Sequence, residues 1–116
     1  MKFYGYKKCS TCRQAETFLK EGGVSFNYIE ITENPPSKTE LKKILQCSGY
    51  PIKKLFNTSG QIYREMRLKE KIDIFGETEA LELLASNGKL IKRPIAFDGT
   101  KATVGFREDE YRKQWL

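Results

Sequence analysis

The chain has no histidine among its 116 residues. This removes the commonest general base, the Ser-His and Cys-His nucleophile pairs, and the commonest metal ligand. Any nucleophile here must be activated by charge and backbone rather than by an imidazole. Cysteine is also scarce: three residues are an odd number and too few for a disulfide scaffold. No apolar run approaches the roughly 18 residues that a bilayer span needs. The opening Met1-Lys2-Phe3-Tyr4-Gly5-Tyr6 reaches Lys7-Lys8 too soon for a secretory leader. These absences lead us to expect a cytoplasmic protein, with no membrane association and with its thiols reduced.

The remaining composition is that of a folded domain. Hydrophobic residues make up 39% and charged residues 31%, which excludes a disordered chain. At this length, with no repeat, linker or low-complexity tract, residues 1–116 are expected to form a single domain. The net charge of +6 raises the question of nucleic acid. No recognition helix, glycine-rich loop or basic and aromatic stripe supports direct nucleic-acid binding. The cations instead gather beside the cysteines (Lys7, Lys8, Arg13) and beside Pro94 (Lys89, Lys92, Arg93). That distribution suits a thiolate, an anionic substrate or an acidic partner.

Patterning predicts the elements in order. Lys2 to Tyr6 reads as a strand. From Ser10 the pattern turns helical, with Cys12, Ala15, Phe18 and Leu19 on one face and Gly22-Gly23 as the stop. Val24 to Ile31 reads as a second strand. Ser37-Lys-Thr-Glu40 forms a capping box before a helix with Leu41, Ile44 and Leu45 inward. Pro51 to Phe75 reads as two short helices broken around Thr58-Ser59-Gly60, and Thr78 to Ser86 as another helix. Arg93 to Phe97 and Lys101 to Phe106 flank the turn Asp98-Gly99-Thr100. The tail places acids before bases, the order that suits a helix dipole. The expected fold is therefore α/β and thioredoxin-like (glutaredoxin-type). A βαβ–ββα core, about 1–34 and 89–116, carries an inserted helical subdomain at about 35–88.

The centre of interest is Lys7-Lys8-Cys9-Ser10-Thr11-Cys12-Arg13. An offset of three puts two side chains on one side of a helical turn, within disulfide range. Cys9 falls at the strand-to-helix turn, where free backbone N–H groups and nearby cations stabilise a thiolate. Cys12 lies one turn in, on the apolar face, and should stay protonated. A zinc site would need two more ligands, and only Cys47 remains. Two inert structural cysteines are the bland alternative. A nucleophile with a resolving thiol fits a CxxC that follows a strand and opens a helix. Cys47 reads as a small buried hydrophobe. In a thioredoxin-like fold a cis proline faces the active cysteine. That makes Pro94 the expected cis position and aims Arg93 at Cys9; a surface arginine before a strand is the alternative.

Five segments carry a family resemblance over essentially the whole chain. They are Tyr4-x-x-x-x-Cys9-Ser-Thr-Cys12-Arg13, Glu33-Asn34-Pro35-Pro36-Ser37, Lys54-Leu55-Phe56-Asn57-Thr58, Leu90-Ile91-Lys92-Arg93-Pro94-Ile95 and Val104-Gly105-Phe106-Arg107. In this order and spacing the chain resembles the arsenate reductase (ArsC)/Spx family, a thioredoxin-like family. The resemblance implies Cys9 as nucleophile, with Cys12 as the resolving thiol. It also implies Arg93 before a cis Pro94, and Arg93 with Arg107 as oxyanion ligands supported by Ser10, Thr11 and Asn57. Asn57 stands near where the reductases carry a third arginine, and whether Arg64 reaches the site is open. It implies no bound cofactor but an external thiol donor: glutathione, glutaredoxin or thioredoxin. Cys12 is usually missing from the reductases, whereas CxxC is the pattern of the Spx branch. That branch implies a redox-sensing regulator that binds the C-terminal domain of the RNA polymerase α subunit, with Gly49 and Arg93 at its contact or switch positions.

Overall fold

A computed structural model describes all residues from Met1 to Leu116. Four short strands form one sheet: β1 (Lys2–Gly5), β2 (Asn27–Glu30), β3 (Ile95–Phe97) and β4 (Ala102–Val104), in the order β2-β1-β3-β4. β1 and β2 run parallel, and β3 is antiparallel to both β1 and β4. The parallel pair needs a crossover, and α1 (Ser10–Glu21) supplies it. Between β2 and β3 lie α2 (Lys38–Ser48), a 3₁₀ turn (Ile52–Leu55), α3 (Gln61–Glu65), α4 (Leu68–Lys71), α5 (Glu77–Ser86) and a second 3₁₀ turn (Gly88–Leu90). The chain ends in α6 (Glu108–Trp115). This is the thioredoxin-like arrangement, with a helical segment inserted between its two halves.

The strand period of two divides the core into two faces. Phe3 and Ala96 point to one side and pack with Ala15, Leu19 and Tyr111 of α1 and α6. Tyr4, Ile95, Phe97 and Val104 point to the other and pack with Leu41, Ile44, Leu84 and Leu90 of the inserted segment. The sheet is thus covered on both faces. No helix is long and apolar enough to cross a membrane.

Several boundaries differ from the sequence expectation. The second strand is confined to Asn27–Glu30, and the last two shrink to three residues each. The stretch from Pro51 to Phe75 holds three short helical pieces, not two. The capping box at α2 is half made. Ser37 Oγ accepts from the Glu40 N–H at 3.1 Å, but the Glu40 carboxylate turns to Lys2 Nζ at 3.0 Å. A cation presented by a distant strand outcompetes a neutral backbone donor for that carboxylate.

The β3–β4 turn is tied by one side chain. Asp98 accepts from the Lys101 N–H at 2.7 Å, the Thr100 N–H at 2.8 Å and Thr100 Oγ1 at 3.0 Å. Slight burial pushes its carboxyl upward, but these bonds outweigh it and hold the group below the usual carboxylate range. The linked stability is present above the unfolded pKa of about 3.9 and is lost as pH falls through the depressed folded one. Asp98→Ala should cost about 1 kcal/mol at neutral pH. Chemical denaturation should show that gap closing in acid.

Candidate functional site

Cys9 is the N-cap of α1. Its extended backbone (φ −94°, ψ 119°) lets its sulfur accept from the Cys12 N–H at 3.4 Å. The thiol is half-buried, while Cys12 is buried on the apolar face with Ala15 and Leu19, and neither is in a disulfide. The two environments pull the thiols apart. Burial alone pushes Cys9 up, but hydrogen bonds from the Cys12 thiol and N–H, the Arg93 charge and the Thr11 N–H together bring it below an ordinary thiol. Cys12 is pushed up to about 12, first by burial and then by the hydrogen bond it gives Cys9.

The sulfur of Cys9 faces a cleft of about 470 Å³ whose walls come from four parts of the chain. Thr11 flanks it on α1. Lys54 and Asn57 enter from the first 3₁₀ turn and the loop after it. Lys92 and Arg93 precede β3, and Arg107 follows β4. What joins these distant pieces is a short antiparallel contact. Phe56 bridges Ile91, the Lys92 N–H donates to the Leu55 carbonyl at 2.7 Å, and the Asn57 N–H donates to the Leu90 carbonyl at 2.7 Å. The Gly105 N–H donates to the Pro94 carbonyl at 2.8 Å, which brings the Val104–Arg107 stretch alongside. The Arg93–Pro94 bond is cis.

Four cations therefore line the cleft, and no carboxylate does. Two carboxylates of α6 are bonded to its rim: Asp109 pairs with Arg107 at 3.2 Å, and Glu110 accepts from the Tyr50 hydroxyl. Arg93 is the inner cation. Its guanidinium stacks over the Tyr6 ring at 4.8 Å, and its buried Nη1 has no hydrogen-bond partner. A buried, unpaired guanidinium nitrogen is costly unless something occupies it. The arrangement sets the Cys9 sulfur and the unpaired Arg93 guanidinium in one cleft.

Among the residues named from sequence, Cys9, Thr11, Asn57, Arg93 and Arg107 converge on this cleft. Ser10 does not. It lies on an adjoining groove with Arg13 and Phe18. Arg64 is exposed on α3 and lines neither the cleft nor the smaller pocket behind Arg93. Lys7, Lys8 and Arg13 are exposed and outside the cleft; Lys7 sits over the Tyr28 ring at 4.1 Å. The charge that acts on Cys9 thus comes from Arg93, 84 positions away, and not from its exposed sequence neighbours. Cys47 is half-buried against the larger core. Sequence reasoning missed Tyr50, Lys54 and Lys92 as cleft residues. Both lysines stand inside the quoted segments around Asn57 and Arg93, and that was the available signal.

Alkylation should resolve the two thiols. Peptide-mapped iodoacetamide labelling against pH is expected to give Cys9 a midpoint below that of free cysteine, about 8.5. Cys12 should resist labelling across the same range, and Arg93→Gln should move the Cys9 midpoint upward. A Cys9 midpoint at or above free cysteine would contradict this electrostatic picture.

Comparison with known proteins adds the following. The model of the ArsC family matches residues 4–114. The chain is 56% identical over 113 residues to the uncharacterized protein YusI of Bacillus subtilis, spanning 97% of this chain and 96% of that one. It is 32% identical over 111 residues to the regulatory protein MgsR of the same organism, spanning 96% and 86%. Among solved structures, that of a possible arsenate reductase from Streptococcus mutans UA159 is similar with a TM-score of 0.86 at 44% identity, covering 91% and 90% of the two chains.

Proposed function

The chain belongs to the ArsC family, and from that premise we propose that it is a thiol oxidoreductase of the arsenate reductase kind, with Cys9 as nucleophile and Cys12 as resolving thiol. The observation that carries this reading is the half-buried Cys9 sulfur at a helix N-terminus, facing a cleft lined by Lys54, Lys92, Arg93 and Arg107 and by no carboxylate. Charge-assisted donors of this kind hold a tetrahedral oxyanion and offset the charge that develops as it reacts. Asn57, near where the reductases carry a further arginine, and Thr11 on α1 add neutral donors.

The chemistry proceeds in two steps. The Cys9 thiolate attacks As(V), an S–As bond forms, and one oxygen leaves as water after protonation. Cys12, losing its proton, then attacks Cys9 Sγ. The S–S bond forms, and the S–As bond breaks with its electron pair left on arsenic, giving arsenite. Two thiols have lost two electrons and As(V) has become As(III). A thiol donor (glutathione, glutaredoxin or thioredoxin) returns them by exchange at Cys9, because Cys12 is buried. In this reading the chain works as one domain in the cytoplasm. The cleft takes Lys54 and Asn57 from the inserted segment and Cys9 and Arg93 from the segments around it.

The test is arsenite production from arsenate by the purified protein, with glutathione/glutaredoxin and thioredoxin systems supplied in parallel. Turnover with one of them is expected, and absence of turnover with both would remove the arsenate assignment. The 32% identity to a regulatory protein favours a second reading, a redox-sensing regulator that docks on the C-terminal domain of the RNA polymerase α subunit. Gly49, exposed at the end of α2 with φ +72° and open space where a Cβ would stand, suits such a contact. That reading requires a complex whose affinity differs between the oxidised and reduced protein, measurable by titration calorimetry in each state.

A further inference from the structure

The charge balance of the cleft depends on the oxidation state of Cys9. In the reduced protein the Cys9 sulfur, once ionised, is the negative group that the lining side chains face. Forming the Cys9–Cys12 bond removes it. With an added disulfide R–S–S–R as oxidant, the Cys9 thiolate and the Cys12 thiol each lose one electron and join. Cys12 releases its proton, and the oxidant is reduced to one R–SH and one R–S⁻. The cleft is left with Lys54, Lys92, Arg93 and Arg107 and no lining anion. The rim carboxylates do not replace the lost charge on Arg93. Asp109 is paired with Arg107, Glu110 is held by Tyr50, and the buried Arg93 Nη1 has no acceptor.

We propose that the cleft is an oxyanion site governed by the Cys9–Cys12 redox state, with the disulfide form binding phosphate-class dianions more tightly than the dithiol form. The proposal rests on reading Cys9 and Cys12 as a redox pair. Its physical basis is that a thiolate and a dianion compete for the same cations in a space of about 470 Å³, and oxidation withdraws one competitor. Behind burial, which raises the Cys9 thiol, and the hydrogen bonds from Cys12, which lower it, the Arg93 charge helps hold it below its ordinary value, and that part is the same coupling seen from the sulfur side. Linkage makes the effect reciprocal: an anion that prefers the disulfide form stabilises it and makes the couple harder to reduce. Phosphate in the surroundings would then hold the protein oxidised until a donor of sufficient reducing power is present.

The experiment is a redox titration in dithiothreitol buffers at fixed pH, with free thiols counted by alkylation and mass. It is run in inorganic phosphate and in chloride at equal ionic strength. A tenfold preference for the disulfide form shifts the midpoint by about 30 mV to more negative values in saturating phosphate, this being a two-electron couple. Arg93→Gln should abolish the shift. Arg107→Gln, at an exposed position that no packing depends on, should reduce it and serves if the Arg93 variant does not fold. Equal midpoints in the two salts overturn the proposal, and so does a shift that survives both substitutions. No arsenate and no turnover enter the measurement, so a failed arsenate assay leaves this proposal standing and a missing shift leaves the arsenate reading standing. A Cys9–Cys12 pair that forms no disulfide at any potential would end both.

Discussion

Cys9→Ser is expected to lower arsenite production by at least about a thousandfold, the scale seen when a covalent nucleophile is removed. The physical reason lies in what the chain lacks. A serine hydroxyl needs a base to become a nucleophile, and this protein has no histidine to provide one. The backbone and charge effects that ionise a thiol fall far short of ionising an alcohol. The substitution is also clean. Serine is among the best N-cap residues, so its hydroxyl can accept the Cys12 N–H that the sulfur accepts now. The variant should keep its melting temperature, which separates loss of chemistry from loss of fold. Cys12→Ser makes the contrast. The first step stays intact, the internal disulfide cannot form, and a covalent adduct should accumulate on Cys9 that intact-mass analysis detects. Full activity in Cys9→Ser would remove the proposed mechanism, and unchanged turnover with every donor in Cys12→Ser would remove the resolving role.

Gly88→Ala should be the most damaging single-methyl change in the fold. Gly88 opens the second 3₁₀ turn, and a Cβ built on it would lie 1.9 Å from the Ile31 carbonyl oxygen and 2.8 Å from the Ile31 carbonyl carbon. Both are backbone atoms just beyond β2, so no side chain can rotate away to make room. Ile31 itself is fully buried. Relief requires the inserted segment to shift away from the strand, and Leu90 and Ile91 in the larger core would shift with it. The expected cost is about 3 kcal/mol, at the upper end of ordinary overpacking, or a fall in melting temperature of roughly 10 °C for a domain of this size. Gly76→Ala is the control. Its φ of −72° is ordinary and nothing lies within 4 Å of the added atom, so the loss should not exceed about 1 kcal/mol, the penalty of alanine at a helix N-cap. A Gly88→Ala protein that melts with the wild type would show that this contact is not held in solution. The same displacement would loosen the pairing of Phe56 with Ile91, so weakened anion binding should accompany the lost stability.

How much of this was legible in the sequence depended on distance along the chain. The CxxC motif, its place between a strand and a helix, and the burial of Cys12 with Ala15 and Leu19 are consequences of local periodicity, and all were read correctly. So was the turn at Asp98, where one side chain satisfies its own neighbours. Local reasoning erred where two candidate partners compete. Lys2 takes the Glu40 carboxylate that a capping box would have used, and Lys7, Lys8 and Arg13 sit beside Cys9 in sequence without lining its cleft.

The sequence by itself determined that no imidazole can activate a group in this protein, and that Cys9 sits at the start of a helix with Cys12 one turn in. Both follow from residue identity and a three-residue offset. Only the tertiary structure decided which charges face that thiol. Arg93, Lys92, Lys54 and Arg107 reach it because the stretch around Phe56 pairs with the stretch around Ile91 and because β4 returns beside Pro94. The bonds that pair Leu55 with Lys92 and Asn57 with Leu90 join segments more than thirty residues apart and have no local signature, and with the return of β4 they set the electrostatics of the site.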